Sequence, residues 1–277
     1  MKNRQHIQSR KPAADLVSRG LTFLYLGFLI LLPVIAISIK AFEGGPANLW
    51  KQITMPAAVY SLKLTFILAV VMVIINVITG TATAWVLVRY DFPLKKLLNA
   101  LVDIPFAIPT LVTGMMLVIL YGPKSTLGML LGKHGIEVIY AKPGIILALA
   151  FVTFPFVVRT VQPMLLELDK DMEEAAYTLG ASRVRTFFRV VLPTLMPAVL
   201  TGAALSFSRA LGEFGSIVVV AGNIPFKTQL SAVYIYGEIE TENFQSALGV
   251  SVVLLVCSFL VLIILNLIQR WRSKYED

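Results

Sequence analysis

Six continuous apolar runs divide the chain, at residues 20–39, 64–88, 97–120, 144–162, 194–222 and 247–268. Each approaches or exceeds the roughly 20 residues that an α-helix needs to cross a hydrocarbon core. They lack the apolar/polar alternation of barrel strands and are too long for them. The pattern predicts an all-α, polytopic membrane protein with six transmembrane helices. Between the fourth and fifth runs the period changes. Over residues 173–193, Val184, Phe187, Phe188 and Val191 fall at i, i+3, i+4 and i+7, an apolar stripe opposite Arg183, Arg185 and Arg189. Two short helices are expected here. Asp171 would cap the first, with Glu174 reaching back to it, and Gly180 would supply the left-handed turn that ends it. Ser182 would cap the second and Pro193 would stop it. Periodicity alone leaves two roles open for this pair: docking into another protein, or lying on the lipid surface.

Composition agrees with the membrane reading. Hydrophobic residues make up 57% of the chain and charged residues 14%, with a mean hydropathy of +0.80, beyond what a soluble core can hide. Basic residues divide unevenly about the spans. The N-terminal tail, the turn after the second run, the long loop and the C-terminal tail hold 16 Lys and Arg, including Arg159 at the loop's edge; the opposite segments hold 7, and only Arg209 is left inside a span. Because basic residues near span ends stay in the cytosol, both termini are expected there. The layout is a basic tail over 1–19, a membrane domain over 20–268 with a cytosolic loop at 163–193, and a second tail over 269–277. The net charge of +8 then reflects topology. It offers no argument for nucleic acid, since no basic patch is interleaved with exposed aromatics. The first run is read as a retained anchor, without a small-residue cleavage site before Lys40.

Candidate chemistry is sparse. Cys257 is the one cysteine and lies in the sixth run, His6 falls in the basic tail and His134 in an outer loop, so no metal site is expected. The outer segments 40–63, 121–143 and 223–246 are short and punctuated by Gly and Pro, and no glycine-rich phosphate loop occurs. The chain is therefore expected to be no enzyme: it cannot hydrolyse ATP alone. Charges within spans are the sharper signal, because each costs about 2.5 to 3.5 kcal/mol at a helix centre on insertion scales. Arg209 and Glu213 stand four apart in the fifth run, with Ser206 on the same stretch and the small residues Gly202, Ala203 and Ala210 allowing close helix approach. They either neutralise each other for packing or border a pathway in which Arg209 meets an anion. In the third run, Pro105 and Pro109 follow Asp103 and predict a kinked or broken helix, which at membrane depth lines a cavity or is covered by protein. An ion-coupled secondary transporter is the alternative from another class, with Glu213 and Asp103 as its carboxylates.

Glu174, Ala175, Ala176, Gly180 and Pro193, spaced as they are between two spans, resemble the "EAA" loop of bacterial ATP-binding-cassette (ABC) importer permeases. From residue 64 to 267 the chain is similar to the sulfate/thiosulfate permeases of the CysT kind, above all in DIPFAIPT (103–110), FVVRTVQP (156–163) and SFSRALGEFGSIVVVAGN (206–223). Molybdate/tungstate permeases share the LGEFG segment, and the CysW kind is also similar. The resemblance implies a type I ABC importer permease fold in the bacterial plasma membrane. It implies that Glu174, Ala175, Ala176, Gly180, Phe187, Leu192 and Pro193 couple to an ATPase. It also implies a CysW-like second permease, two CysA-like ATPase subunits that hold ATP and Mg, and an extracytoplasmic sulfate-binding protein, with no cofactor on this chain.

Overall fold

The computed structural model describes residues 12–273, so most of the basic N-terminal tail, His6 included, and the last four residues lie outside it. Among the described residues every regular element is helical. α1 (Pro12–Leu26) and α2 (Leu32–Phe42) run on through a wider π-turn at Gly27–Leu31 and carry the first span. A short α3 (Gly45–Ile53) leads to α4 (Pro56–Arg89), which is unbroken over 34 residues. α5 (Lys95–Leu101), α6 (Ile104–Ala107) and α7 (Thr110–Tyr121) form the third span. α8 (Thr126–Lys133) follows, then α9 (Lys142–Glu167), α10 (Lys170–Thr178) and α11 (Arg183–Thr186). A second π-turn at Phe187–Val191 joins α11 to α12 (Leu192–Leu211); α13 (Gly215–Val220), α14 (Ser231–Glu240) and α15 (Phe244–Ser273) complete the chain.

Five helical stretches are long and apolar enough to cross a membrane, and a sixth span exists if the bent α5–α7 unit counts as one. That unit turns through 112°. The cause is local: Ile108 precedes Pro109 and is pushed to extended backbone, ψ 128°, because the proline ring disfavours the helical region for the residue before it. The expected break is therefore present.

Three expectations are corrected. The fifth span is not continuous over 194–222: α12 stops at Leu211, and α13 begins only at Gly215. Glu213 ends one helix and starts the next, its Oε1 accepting from Ser216 N and Ser216 Oγ, both at 2.9 Å. Pro193 does not stop the helix before it, since helix runs from Arg183 through Leu211. Proline lacks an amide donor and its ring crowds the carbonyl four residues back; the π-turn relieves this, with Leu192 N–H reaching Phe187 O five residues earlier. Arg159, counted from sequence with the loop, lies inside α9, which continues to Glu167.

The centre of the bundle is α9 crossed by α4 and α12. Gly80 and Gly202 permit that contact. A β-carbon on Gly202 would stand 2.8 Å from the Val157 Cα, and one on Gly80 2.9 Å from Val157 Cβ. Between lipid-exposed helices there is little hydrophobic drive, so close approach of small residues supplies the van der Waals attraction. Asn76 on α4 donates to Thr153 Oγ1 at 2.8 Å and Ala150 O at 3.1 Å, and Ser206 on α12 donates to Thr153 O at 3.2 Å, which pins the three helices in register. The outer surface is studded with exposed Leu, Ile, Val and Phe, as a lipid-facing surface must be.

Gly202→Leu is expected to lower the stability of the purified protein by about 1 to 3 kcal/mol, the usual cost of overpacking. Gly132→Ala, where an added β-carbon meets nothing within 4 Å, is expected not to lower it. Thermal unfolding in detergent, read by intrinsic fluorescence, compares the two.

Candidate functional site

Two places gather the polar side chains, one at the helix breaks and one around the amphipathic pair. At the first, α13 lies against α7. A β-carbon on Gly215 would collide with the Thr110 side chain and come within 3.0 Å of Leu111 N, and one on Gly114 would stand 2.8 Å from Ser216 O. The break in the third span thus abuts the break in the fifth. Arg209 and Glu213 meet there, Nη1 to Oε2 at 2.7 Å. The Glu213 side chain is 1% exposed and that of Arg209 36%. Glu213 divides its oxygens, Oε1 serving α13 and Oε2 serving Arg209, so Arg209 is neutralised on one side and open on the other. Ser206 does not share that opening: it is fully buried against α9.

Asp103, Pro105 and Pro109 flank the other break, with Pro105 buried and Pro109 exposed. Asp103 receives a two-pronged pair from Arg159, Nε to Oδ1 at 2.7 Å and Nη2 to Oδ2 at 2.5 Å. Arg159 also donates to Asn99 Oδ1 at 2.8 Å, Asn99 O at 2.7 Å and Gln162 Oε1 at 2.5 Å. The fork geometry of guanidinium suits a carboxylate and leaves further donors free for the amides. This network ties the bent span to α9. Reading the chain alone missed Arg159 as the partner of Asp103; the available signal was that both charges lie near span ends on the same side.

The amphipathic pair is built as two capped helices. Asp169, rather than Asp171, caps α10, its Oδ1 accepting from Asp171 N at 3.0 Å. The helix begins at Lys170, earlier than the acidic cluster suggested. Gly180 takes φ +82°, and Ser182 Oγ accepts from Arg185 N at 3.3 Å. The stripe is divided: Val191 is buried and Phe187 half-buried, whereas Val184 and Phe188 face outward. The extra residue of the π-turn rotates the helix beyond it, so a regular helical period does not predict one face here. Glu174 and Ala175 are exposed, Ala176 and Leu192 half-buried, and Pro193 exposed. Leu179 is 88% exposed at the tip of the pair.

Glu173, one residue before Glu174, turns inward and pairs with Arg89 at the end of α4. The Arg89 guanidinium lies 5.5 Å over the Trp85 ring, and Trp85 meets Phe187 edge-on at 5.2 Å. A groove of about 640 Å³ opens beside these residues, bordered by Tyr90, Tyr177 and Phe188. In the neighbouring turn, Lys95 Nζ donates to Asp91 at 2.8 Å, and this hydrogen bond holds the Asp91 carboxyl below the ordinary carboxylate range.

A fold of this kind, with an outward-facing helical pair running directly into a broken, charge-bearing span, is that of type I ABC transporter permeases. The family model described as "binding-protein-dependent transport system inner membrane component" matches residues 76–274, and the chain belongs to that family. It is a multi-pass membrane permease subunit of an ABC transporter.

Among curated relatives, the chain is 42% identical over 256 residues to the sulfate transport system permease protein CysT of Synechocystis sp., covering 92% of this chain and 90% of that one. It is 42% identical over 253 residues to CysT of Escherichia coli (strain K12), covering 91% of each. Among solved structures it is similar to a bacterial ABC transporter for import of alginate, with a TM-score of 0.76 at 16% identity over 93% of this chain and 96% of that one. An inward-facing methionine ABC transporter gives a TM-score of 0.57 at 17% identity, over 76% and 94%.

Glu213→Leu is expected to destabilise the protein by about 2 kcal/mol, the scale of a buried hydrogen bond to a charged group. Glu213→Gln, which keeps an acceptor for Ser216, is expected to cost less. Melting of the two variants in detergent separates them; equal losses would mean that the acceptor at α13 contributes nothing.

Proposed function

We propose that the chain is the sulfate/thiosulfate-translocating subunit of an ATP-driven importer, working by alternating access. The observation that carries the reading is the unbroken helical connection from Arg183 to Leu211, which joins an exposed amphipathic pair to the Arg209–Glu213 site. A push on the pair therefore reaches the charged break through covalent helix. Exposed Leu179, Val184 and Phe188 give a partner an apolar surface to grip, with Glu174 beside them. Two ATPase subunits dock there and supply the energy from ATP and Mg, and a second, CysW-like permease completes the membrane core. An external sulfate-binding protein delivers the substrate. The sulfate assignment is supported by what the relatives at about 42% identity are named for.

In this reading both termini and the amphipathic pair face the cytosol, in keeping with a division of basic residues that is still 15 to 7 once Arg159 is placed in α9. Asp103, Pro105, Pro109, Arg209 and Glu213 border the pathway, while Ser206 serves packing. An oxyanion arriving at the break meets the side of Arg209 that Glu213 leaves open. Backbone amides freed at helix breaks add donors without adding charge, which suits a tetrahedral dianion. Selectivity can then rest largely with the external binder.

Two measurements test the proposal. Labelled sulfate uptake in cells carrying the chain is expected to be competed by thiosulfate far better than by molybdate; molybdate winning would reassign the substrate. Glu174→Lys and Gly180→Pro are each expected to abolish uptake while leaving membrane insertion intact. Proline cannot adopt the φ of +82° that Gly180 holds. Normal uptake in both variants would refute the docking role of the pair.

A further inference from the structure

The α11–α12 connection is not the only line out of the amphipathic pair. α4 is one continuous helix of 34 residues, about 50 Å at 1.5 Å per residue. At one end it grips both halves of the pair. Arg89 pairs with Glu173 of α10, the two side chains each 11% exposed, and Trp85 packs on Phe187 of the π-turn. At its other end α4 holds the segment between α13 and α14. Thr65 Oγ1 accepts from Ser231 N at 2.9 Å, Tyr60 donates to Lys227 O at 3.3 Å, and the Tyr60 ring lies 5.7 Å from that of Phe226. That segment has a fixed shape: Asn223 and Phe226 hold left-handed backbone at φ +49° and +55°, and Thr228 Oγ1 bridges it by donating to Ala221 O at 2.6 Å.

The two routes differ mechanically. From α11 the path to α12 passes through a π-turn, where the hydrogen bonds shift from four residues apart to five. From α10 the path to α4 passes through a mostly buried ion pair into an uninterrupted helix. A charge pair withdrawn from water resists separation, because parting it leaves two poorly solvated charges. The ion pair therefore fastens α10 to the end of α4.

We infer that Arg89 and Glu173 are positioning residues that make α4 a strut between the ATPase-docking pair and the opposite-face segment 221–231. Through it, engagement of the binding protein on the outside and nucleotide hydrolysis on the inside act on each other. The inference rests on the importer reading and adds to it a specific route and two residues outside the docking surface.

The test uses the complete transporter in proteoliposomes: both permeases, both ATPase subunits and sulfate-loaded binding protein. ATP hydrolysis is measured with and without the binding protein for wild type, Arg89→Glu, Glu173→Arg, the swapped double variant, and the neutral double variant Arg89→Gln/Glu173→Gln. Each single reversal is expected to cut the ratio of stimulated to basal hydrolysis about tenfold, within the usual range of coupling between sites. ATPase subunits are expected to co-purify in wild-type amounts. The swapped double variant is expected to restore most of the ratio. If a single reversal fails to insert, the neutral variant serves in its place, with assembly retained and the ratio reduced. A wild-type ratio in every assembled variant would overturn the strut, and so would loss of ATPase subunits in proportion to the ratio, since that is what a mere anchor for α10 produces. A wild-type transporter that hydrolyses no ATP would instead overturn the importer reading, and the strut with it.

Discussion

A bilayer core offers no water to a backbone amide or carbonyl, so a spanning chain must satisfy those groups itself. α4, α9 and the long stretch through α12 do so by remaining helical from end to end. The two breaks are the exceptions, and their location is set by the same constraint. They are tucked against each other, Gly215 on Thr110 and Gly114 on Ser216, and Glu213 supplies the acceptor that α13 needs at its start. Each break thus covers part of the other, while Ala107, Pro109 and Gly212 at their edges stay exposed. That place also holds the charged pair, with Glu213 buried and Arg209 partly exposed.

Three ion pairs join elements that the apolar surface alone would leave loosely associated. Arg209 and Glu213 bridge the fifth-span break, Arg159 and Asp103 tie the bent third span to α9, and Arg89 and Glu173 fasten the amphipathic pair to α4. Their surroundings differ, and with them their character. Arg159–Asp103 is partly open and branches into Asn99 and Gln162. Arg89–Glu173 is largely enclosed, backed by the Trp85 ring, and suited to keeping one geometry. Close glycine contacts at Gly80 and Gly202 complete a tightly packed α4–α9–α12 frame.

The amphipathic pair is fastened to that frame along one side and exposed on the other. Its exposed leucine, valine and phenylalanine residues lie beside exposed Glu174 and the arginines, a mixture that suits docking to a protein surface. A helix intended only for lipid would bury its whole apolar stripe in one plane. Here Phe187 and Val191 turn toward the bundle while Val184 and Phe188 turn away, so one short segment presents apolar surface in two directions. Division of the stripe by the π-turn is what allows the pair to contact α4 and still present apolar side chains outward.

The number and class of spans were legible in the sequence because transfer into hydrocarbon sums over about 20 consecutive residues and needs no partner. The Pro109 break, the left-handed turn at Gly180 and the Ser182 cap were legible for a similar reason, each depending on the stereochemistry of one or two residues. Tertiary structure decided the rest. Whether Glu173 or Glu174 turns inward depends on where α4 ends, and whether Ser206 faces an opening or α9 depends on the crossing at Gly202. Arg159 finds Asp103 only after two distant spans meet. Pro193 is carried through, and the fifth span stops at Leu211, because a π-turn in one case and a buried carboxylate in the other reassign the backbone hydrogen bonds. Such choices turn on which neighbour arrives at which face, and local periodicity holds no record of that.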